Sequence, residues 1–411
     1  MFRPDNLPAR AWLTVALLWV VGLLNYLDRV MIATMRGSIK EAIPMTEAQF
    51  GLLTTVFLLV YAVLSPFAGF LADRFDRSRV IVGSLFFWSL VTWLTAHAKT
   101  YDQLLLTRAL MGISEACYLP AAAALITDYH RGPTRSLANG IHLSGVMVGS
   151  AMGGVGGWLA ERHGWAYAFN LFGLVGIGYS FVILFLLRRA PADKLAVTAD
   201  LPAVPRVRFG EALASLFRRP AFILALTFWG LLGIGGWAVM GWMPTYLNEQ
   251  FKLSQGIAGL SATGYVNIAA LLGMIIGGAW ADRWSQSNPR ARILVPVIGL
   301  CIAAPGILLA STTLILPVAL TALVCYGLAR SFADSNMMPI LCLISDPRYR
   351  ATGYGVLNFF ACVVGAITIY AGGVLRDAHV DISRVFQLAS VSITICAVLL
   401  FFIKPQPDAK A

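Results

Sequence analysis

Apolar runs of about 20 residues, parted by short polar intervals, recur along the whole chain. They fall at roughly 12–34, 49–72, 80–98, 103–127, 136–160 and 165–187. After a polar interval of about thirty residues, six more follow at 221–247, 257–281, 292–311, 314–343, 352–375 and 384–403. A helix of about 20 apolar residues crosses the ~30 Å hydrocarbon core of a bilayer. A segment in lipid has to satisfy its own backbone hydrogen bonds, and the period-two alternation of a barrel is absent. The pattern therefore predicts an all-α integral membrane protein with twelve transmembrane helices. The first run, from about Ala11 to Met35, is too long for a signal-peptide core and lacks a small-residue cleavage pattern, so it reads as a retained helix.

Composition supports lipid as the solvent. Charged residues make up 12% of the 411 residues and apolar residues 58%, whereas a water-soluble surface needs roughly 25% charge. The net charge of +11 does not point to nucleic acid, because the basic residues sit in short turns and form no stripe. Counted by loop with the N-terminus inside, 21 basic residues fall on inner segments and seven on outer loops, with three inside spans. That bias predicts a multi-pass protein of the cell inner (plasma) membrane with both termini in the cytoplasm. All six cysteines lie within or at the edges of apolar runs and read as small buried hydrophobes. No Cys/His spacing resembles a metal site, and neither a metal nor a cofactor is expected.

The chain also repeats itself. Gly69-x-x-x-Asp73-Arg74 closes the second span and Gly278-x-x-x-Asp282-Arg283 the eighth, an offset of 209. Glu115 precedes Pro120 in the fourth span as Asp334 precedes Pro339 in the tenth, an offset of 219. Arg135 with Gly140 opens the fifth span as Arg350 with Gly355 opens the eleventh, an offset of 215. Three ordered matches at nearly one offset predict two pseudo-symmetric six-helix bundles, residues 1–187 and 221–411. The proline-rich, basic segment 188–220 between them reads as a cytoplasmic linker, with a short surface helix near Phe209–Phe217.

Gly69-Phe-Leu-Ala-Asp73-Arg74-Phe-Asp-Arg77-Ser-Arg79 resembles the signature loop between the second and third helices of the major facilitator superfamily. Arg108-x-x-x-Gly112 and the glycine-rich fifth span are similar to its second and third signatures. Within that superfamily, Asn25-Tyr26-Leu27-Asp28-Arg29 and Gly112-x-x-Glu115-Ala116 resemble two neighbouring groups. One is the anion:cation symporter family, which carries hexuronates, galactonate and other organic anions with protons. The other is the Spinster-like family, implicated in lysolipid and sphingolipid movement; Ala116-Cys-Tyr-Leu-Pro120 with Asp128-Tyr129 leans toward it. The resemblance implies alternating access by rocking of the two halves around a central cavity. It also implies proton coupling at Glu115, which matches a coupling glutamate of the anion symporters.

A charge at membrane depth costs at least about 2.5–3.5 kcal/mol on insertion scales, so each one needs a reason. Six stand inside spans: Asp28, Arg29, Arg108, Glu115, Arg330 and Asp334. Glu115 and Asp28 are the proton-coupling candidates, since a poorly hydrated carboxylate can hold a proton and release it when a cation or water arrives. Asp28 and Arg29 are adjacent, leave their helix on different faces and cannot satisfy each other. Arg29 is the candidate for an anionic substrate group, because its planar fork matches a carboxylate. Arg108 and Glu115 are two turns apart, too far to pair directly, so Arg108 is expected to link Asp28 or another helix. Arg330 and Asp334 are four apart and can pair as a structural or gating element. Asp73, Arg74, Arg77, Asp282 and Arg283 read as charge latches between helix ends, the second weakened by Gln286 in place of an arginine. Tyr26, Tyr118, Trp237, Tyr265, Asn267 and Asn358 are candidate cavity-lining residues, and His142 a candidate relay.

The expected function is secondary transport, not enzymatic: the spans show no nucleophile–base pair, and no ATP-binding loop is present. A proton-coupled symporter of a small organic anion is the first expectation, with sodium as the other candidate ion. A Spinster-like, proton-linked carrier of lysolipid or sphingoid-type amphiphiles is the second. The expected partners are a small-molecule or lipid-like substrate, protons and the bilayer, with the protein a monomer.

Overall fold

The computed structural model describes residues 9–130, 134–187, 209–288, 290–345 and 349–403, with the side chains of 66, 68–74, 136, 209, 212, 350 and 351 excepted. Twelve helices among the described residues are long and apolar enough to cross a membrane. They are α1 (Ala9–Thr34), α2 (Glu47–Arg74), α3 (Arg77–Thr95), α4 (Tyr101–Tyr129), α5 (Leu137–His163), α6 (Trp165–Leu186), α7 (Pro220–Phe251), α8 (Gln255–Ser285), α9 (Ala291–Thr312), α10 (Leu316–Ile344), α11 (Arg350–Asp377) and α12 (Ser383–Phe402). An even number of crossings puts the start of α1 and the end of α12 on one side, the terminal face. The foreseen helix Phe209–Phe217 is present on that face, against α7 and α11. The rest of the foreseen linker, 188–208, lies outside the described residues.

The apolar runs dictate where these helices bury. Large side chains such as Phe185 and Phe67 stay 73% and 69% exposed on the outer surface, which only a hydrocarbon solvent tolerates. Small residues and polar groups turn inward instead. A Cβ at Gly149 of α5 would overlap the Leu23 backbone of α1, so glycine lets those two helices meet at backbone distance. The cysteine expectation needs correcting. Cys362 and Cys396 are buried, but Cys301 and Cys325 are exposed on the outer surface, because lipid does not penalise a thiol as water penalises a hydrocarbon.

The internal repeat is visible in the packing. In the first half α1 packs on α5, α2 on α4 and α3 on α6; in the second, α7 packs on α11, α8 on α10 and α9 on α12. The halves meet through α2 against α11 and, at the equivalent place, α8 against α5, with α1 against α7 between them. The chain thus forms two pseudo-symmetric six-helix bundles.

Three spans carry breaks that apolar patterning did not foretell. α4 turns at Ala116–Cys117, where Pro120 has no N–H to donate to the preceding turn. The matching Pro339 sits within an unbroken α10. α5 is interrupted at Gly153. α8 widens into a π turn at Ser261–Tyr265. The last two breaks face each other across the halves. The Gly154 N–H donates to the Thr263 hydroxyl at 3.0 Å, and that hydroxyl lies 2.9 Å from the Ala151 carbonyl. Thr34 of α1 completes the joint, accepting from the Gly157 N–H at 3.0 Å.

Candidate functional site

The first half holds four charges away from either face. α1 supplies Asp28 and Arg29, and α4 supplies Arg108 and Glu115; none is more than 5% exposed. The Arg29 Nη2 donates to Glu115 Oε2 at 2.8 Å. The same guanidinium lies over the rings of Tyr26, Phe57 and Tyr61, with its carbon 4.6, 4.8 and 4.7 Å from their centroids. Desolvating each ion costs several kcal/mol. The ion pair and the ring quadrupoles, the latter worth up to about 2 kcal/mol each when dry, offset that cost.

The two remaining charges are not paired with one another. Asp28 Oδ2 accepts from the Thr92 hydroxyl of α3 at 3.2 Å. Arg108 Nη1 points at the Met111 sulfur at 2.9 Å, and its guanidinium lies 4.9 Å from the Phe57 centroid. The expected link from Arg108 to Asp28 is therefore not made; a thioether and a ring face take the place of a carboxylate. Asp28 Oδ1, Glu115 Oε1, Arg29 Nε, Arg108 Nε and Nη2, and both polar atoms of Asn25 have no partner. A buried cluster with open donors and acceptors differs from a structural ion pair, whose valences are filled. Two carboxylates and two guanidiniums balance in charge, so one added proton leaves a net cation.

The second half carries a wetter pair. Arg330 Nη1 donates to Asp334 Oδ2 at 2.7 Å, the pairing that the four-residue spacing foresaw, with the side chains 21% and 25% exposed.

The other expected residues scatter. Tyr118 is fully buried, and its hydroxyl donates to the Leu18 carbonyl at 2.9 Å and meets His142 Nε2 at 2.8 Å. It bridges α1, α4 and α5 inside the first half. His142 is spoken for by the same bond. Trp237 of α7 packs on Gly365 of α11 beside Phe57 and Ile369. Asn267 caps its own turn by donating to the Thr263 carbonyl at 2.8 Å, and Tyr265 is half exposed at the π turn. Asn358 is half-buried on α11. Arg77 pairs with Asp128 across α3 and α4, and Asp282 with Arg292 across α8 and α9 at 3.3 Å, while Arg283 is exposed. The side chains of Asp73 and Arg74 lie outside the described residues.

On the face opposite the termini lies a network that apolar patterning gave no reason to single out. Arg376 of α11 grips Glu249 of α7 with two bonds of 2.8 Å. Arg36, from the short helix Arg36–Ala42, pairs with Glu47 of α2 and, at 3.2 Å, with Glu249; Lys40 also pairs with Glu47. Arg36 to Glu249 joins the two halves, as does Arg376 to Glu47 at 3.5 Å. Arg36, Lys40 and Arg376 figured in the sequence only as loop charges, since only the docking of separate helices brings Glu47 and Glu249 to them.

A family model described as Major Facilitator Superfamily matches residues 18–369. The chain belongs to that superfamily. Among relatives, an MFS-type efflux pump of Mycolicibacterium smegmatis is 28% identical over 386 residues, covering 91% of this chain and 86% of that protein. Human protein spinster homolog 1 is 30% identical over 319 residues, covering 74% of this chain but 60% of the human protein. The chain thus spans about three fifths of the length of that relative. Solved structures of a bacterial homolog to the human lysosomal transporter Spinster, inward-facing and either unoccupied or occupied, share the fold. Each has a TM-score of 0.76 at 22% identity, covering 96% of this chain and 95% of the other. The protein is a membrane transporter of small-molecule substrates, not an enzyme, and it resembles the Spinster-like families.

Proposed function

We propose that this transporter carries an organic anion together with a proton, and that Arg29 and Glu115 are where the two meet. The observation that carries the reading is the 2.8 Å pair between them, enclosed by rings and with open valences on both partners. While Glu115 is ionised it occupies Arg29. A proton on Glu115 removes that competitor, and Arg29 becomes free to accept a carboxylate or phosphate in two parallel bonds. Binding of anion and proton is then reciprocal, as linkage requires. Asp28, with one oxygen unpartnered beside Glu115, is a second proton site, and Tyr26 and Tyr61 flank the substrate group. Arg330 with Asp334, Arg77, Asp282 and Arg283 serve as gating or structural charges. The loop charges support cytoplasmic termini in a plasma membrane, and bundles divided near residues 187 and 221 rock about the α1–α7 contact.

A sugar acid such as glucuronate is the first probe. In proteoliposomes an inward proton gradient drives its accumulation; Glu115→Gln abolishes accumulation and spares exchange. Unchanged accumulation by that variant overturns the proposal. A second reading, an amphiphile with an anionic head group, is favoured by the Spinster relatives. It is distinguished by gradient-driven movement of a lysophospholipid in vesicles that ignore glucuronate.

A further inference from the structure

Two carboxylates on the face opposite the termini do the same thing in the two halves, and neither belongs to the ion-pair network described above. Asp377 closes α11 in the second half. Its two oxygens accept, at 2.8 Å each, from the backbone N–H groups of Glu47 and Ala48, the first turn of α2 in the first half. Glu161, in the last turn of α5 in the first half, accepts through Oε2 from the Gly256 N–H and the Ser254 hydroxyl, both at 2.9 Å. Those groups open α8 in the second half. The first N–H groups of a helix have no partner within it, and a carboxylate there also meets the positive end of the helix dipole. Each half therefore caps a helix of the other.

The internal repeat makes this one device in two copies. Glu161 and Asp377 are 216 positions apart, and the N–H groups that donate to them, at Glu47 and Gly256, are 209 apart. The second is the offset at which α2 matches α8, and the first lies within one residue of the 215 at which α5 matches α11. A Cβ on Gly256 would come within 2.7 Å of Glu161 Oε2 and 2.9 Å of Trp158 Cα, so glycine at that turn is what admits the carboxylate. Beside the caps, Gln255 ties to Ser38 across the halves through its N–H and hydroxyl at 3.0 and 2.8 Å.

We propose that Glu161 and Asp377 are paired positioning residues for alternating access: together they hold the opposite face closed, and that face opens only when both leave their helix ends. Partial opening is unfavourable under this arrangement, because a rocking motion about the pseudo-twofold moves α2 from α11 and α8 from α5 at once. The device works whether or not Glu115 carries a proton, so its test and that of the proposed coupling are independent.

The test is hydrogen–deuterium exchange on the purified full chain in nanodiscs. Both side chains are exposed, so Glu161→Ala and Asp377→Ala leave no void. Exchange is read at inter-half amides the carboxylates do not touch, in segments 36–42 and 152–158, and at terminal-face segments near 77–82 and 286–292. Loss of one cap is worth roughly fivefold, so the double variant is expected to exchange about 25-fold faster at the first pair of segments. The terminal-face segments stay unchanged or slow. Asp377→Glu restores protection, and Asp381→Ala, which removes a cap lying within the second half alone, leaves both pairs unchanged. Unchanged exchange in the double variant, equal acceleration at both faces, or the same effect from Asp381→Ala overturns the proposal. Should the double variant not fold, either single alanine variant carries the test, at about fivefold.

Discussion

Removing one partner of the Arg29–Glu115 pair should have opposite pH consequences depending on which partner goes. A guanidinium stays charged at any working pH, whereas a carboxylate can neutralise itself by taking a proton. In Glu115→Gln, Arg29 keeps a neutral acceptor at the same place but loses its ion-pair partner, and Asp28 is the one carboxylate left for two guanidiniums. Breaking a buried pair costs about 3–5 kcal/mol. The three rings around Arg29 and the retained hydrogen bond offset part of that, leaving a loss of roughly 2–4 kcal/mol. No proton at position 115 can relieve it, and one taken up by Asp28 leaves both guanidiniums without a carboxylate, so the loss does not shrink between pH 7.5 and 5.5. In Arg29→Met the residual charge is negative and sits in the same dry site. The folded variant relieves that charge by holding a proton on the Asp28–Glu115 pair of carboxylates, which the unfolded chain gives up at neutral pH. Unfolding then releases a proton, so stability rises as pH falls. One proton over two pH units is worth at most about 2.7 kcal/mol, at 1.36 kcal/mol per unit. Apparent melting temperature in detergent, measured at both pH values against the parent protein, reads the difference. Arg29→Met should recover by several degrees on acidification and Glu115→Gln should not. Equal pH slopes for the two variants would show that the site is wet enough to screen both charges, and the buried-pair argument would fail.

Other outcomes follow from packing. Gly149→Leu places a side chain where the Leu23 backbone of α1 already lies, so the variant should fail to assemble stably or fail to transport. Normal folding and transport together would contradict the close-packing account, with size-exclusion profile and uptake as the measures. Thr263→Val keeps the shape of the π turn but leaves the Gly154 N–H buried without an acceptor, a loss of about 1–3 kcal/mol in thermal stability. Thr263→Ser should behave as the parent, and an unaffected valine variant would mean that the joint between α5 and α8 does not depend on that hydroxyl.

Apolar patterning was enough for the number of spans, their approximate limits, the repeat and the six intramembrane charges. Each of these is a local or periodic property, and lipid enforces it: a run either is long and apolar enough to span or it is not. Spacing along one helix foresaw the Arg330–Asp334 pair for the same reason, because four residues bring two side chains together whatever the tertiary fold. Contacts between helices were a different matter. Nothing local says that Phe57, one apolar residue in a run of them, lies under two guanidiniums, or that Arg108 faces Met111 and not Asp28. Tyr118 lay in a motif-bearing segment, and just past the break that follows Glu115 it meets Leu18 and His142. Glu161 and Asp377 stood within one residue of repeat-equivalent positions all along, but an acceptor acquires meaning only once the docking of the halves brings another helix's free N–H groups to it. Helices and their register in the membrane are decided by hydrophobicity along the chain. Which buried charge meets which is decided by how twelve such helices rotate about their axes, and hydropathy has no component that depends on that rotation.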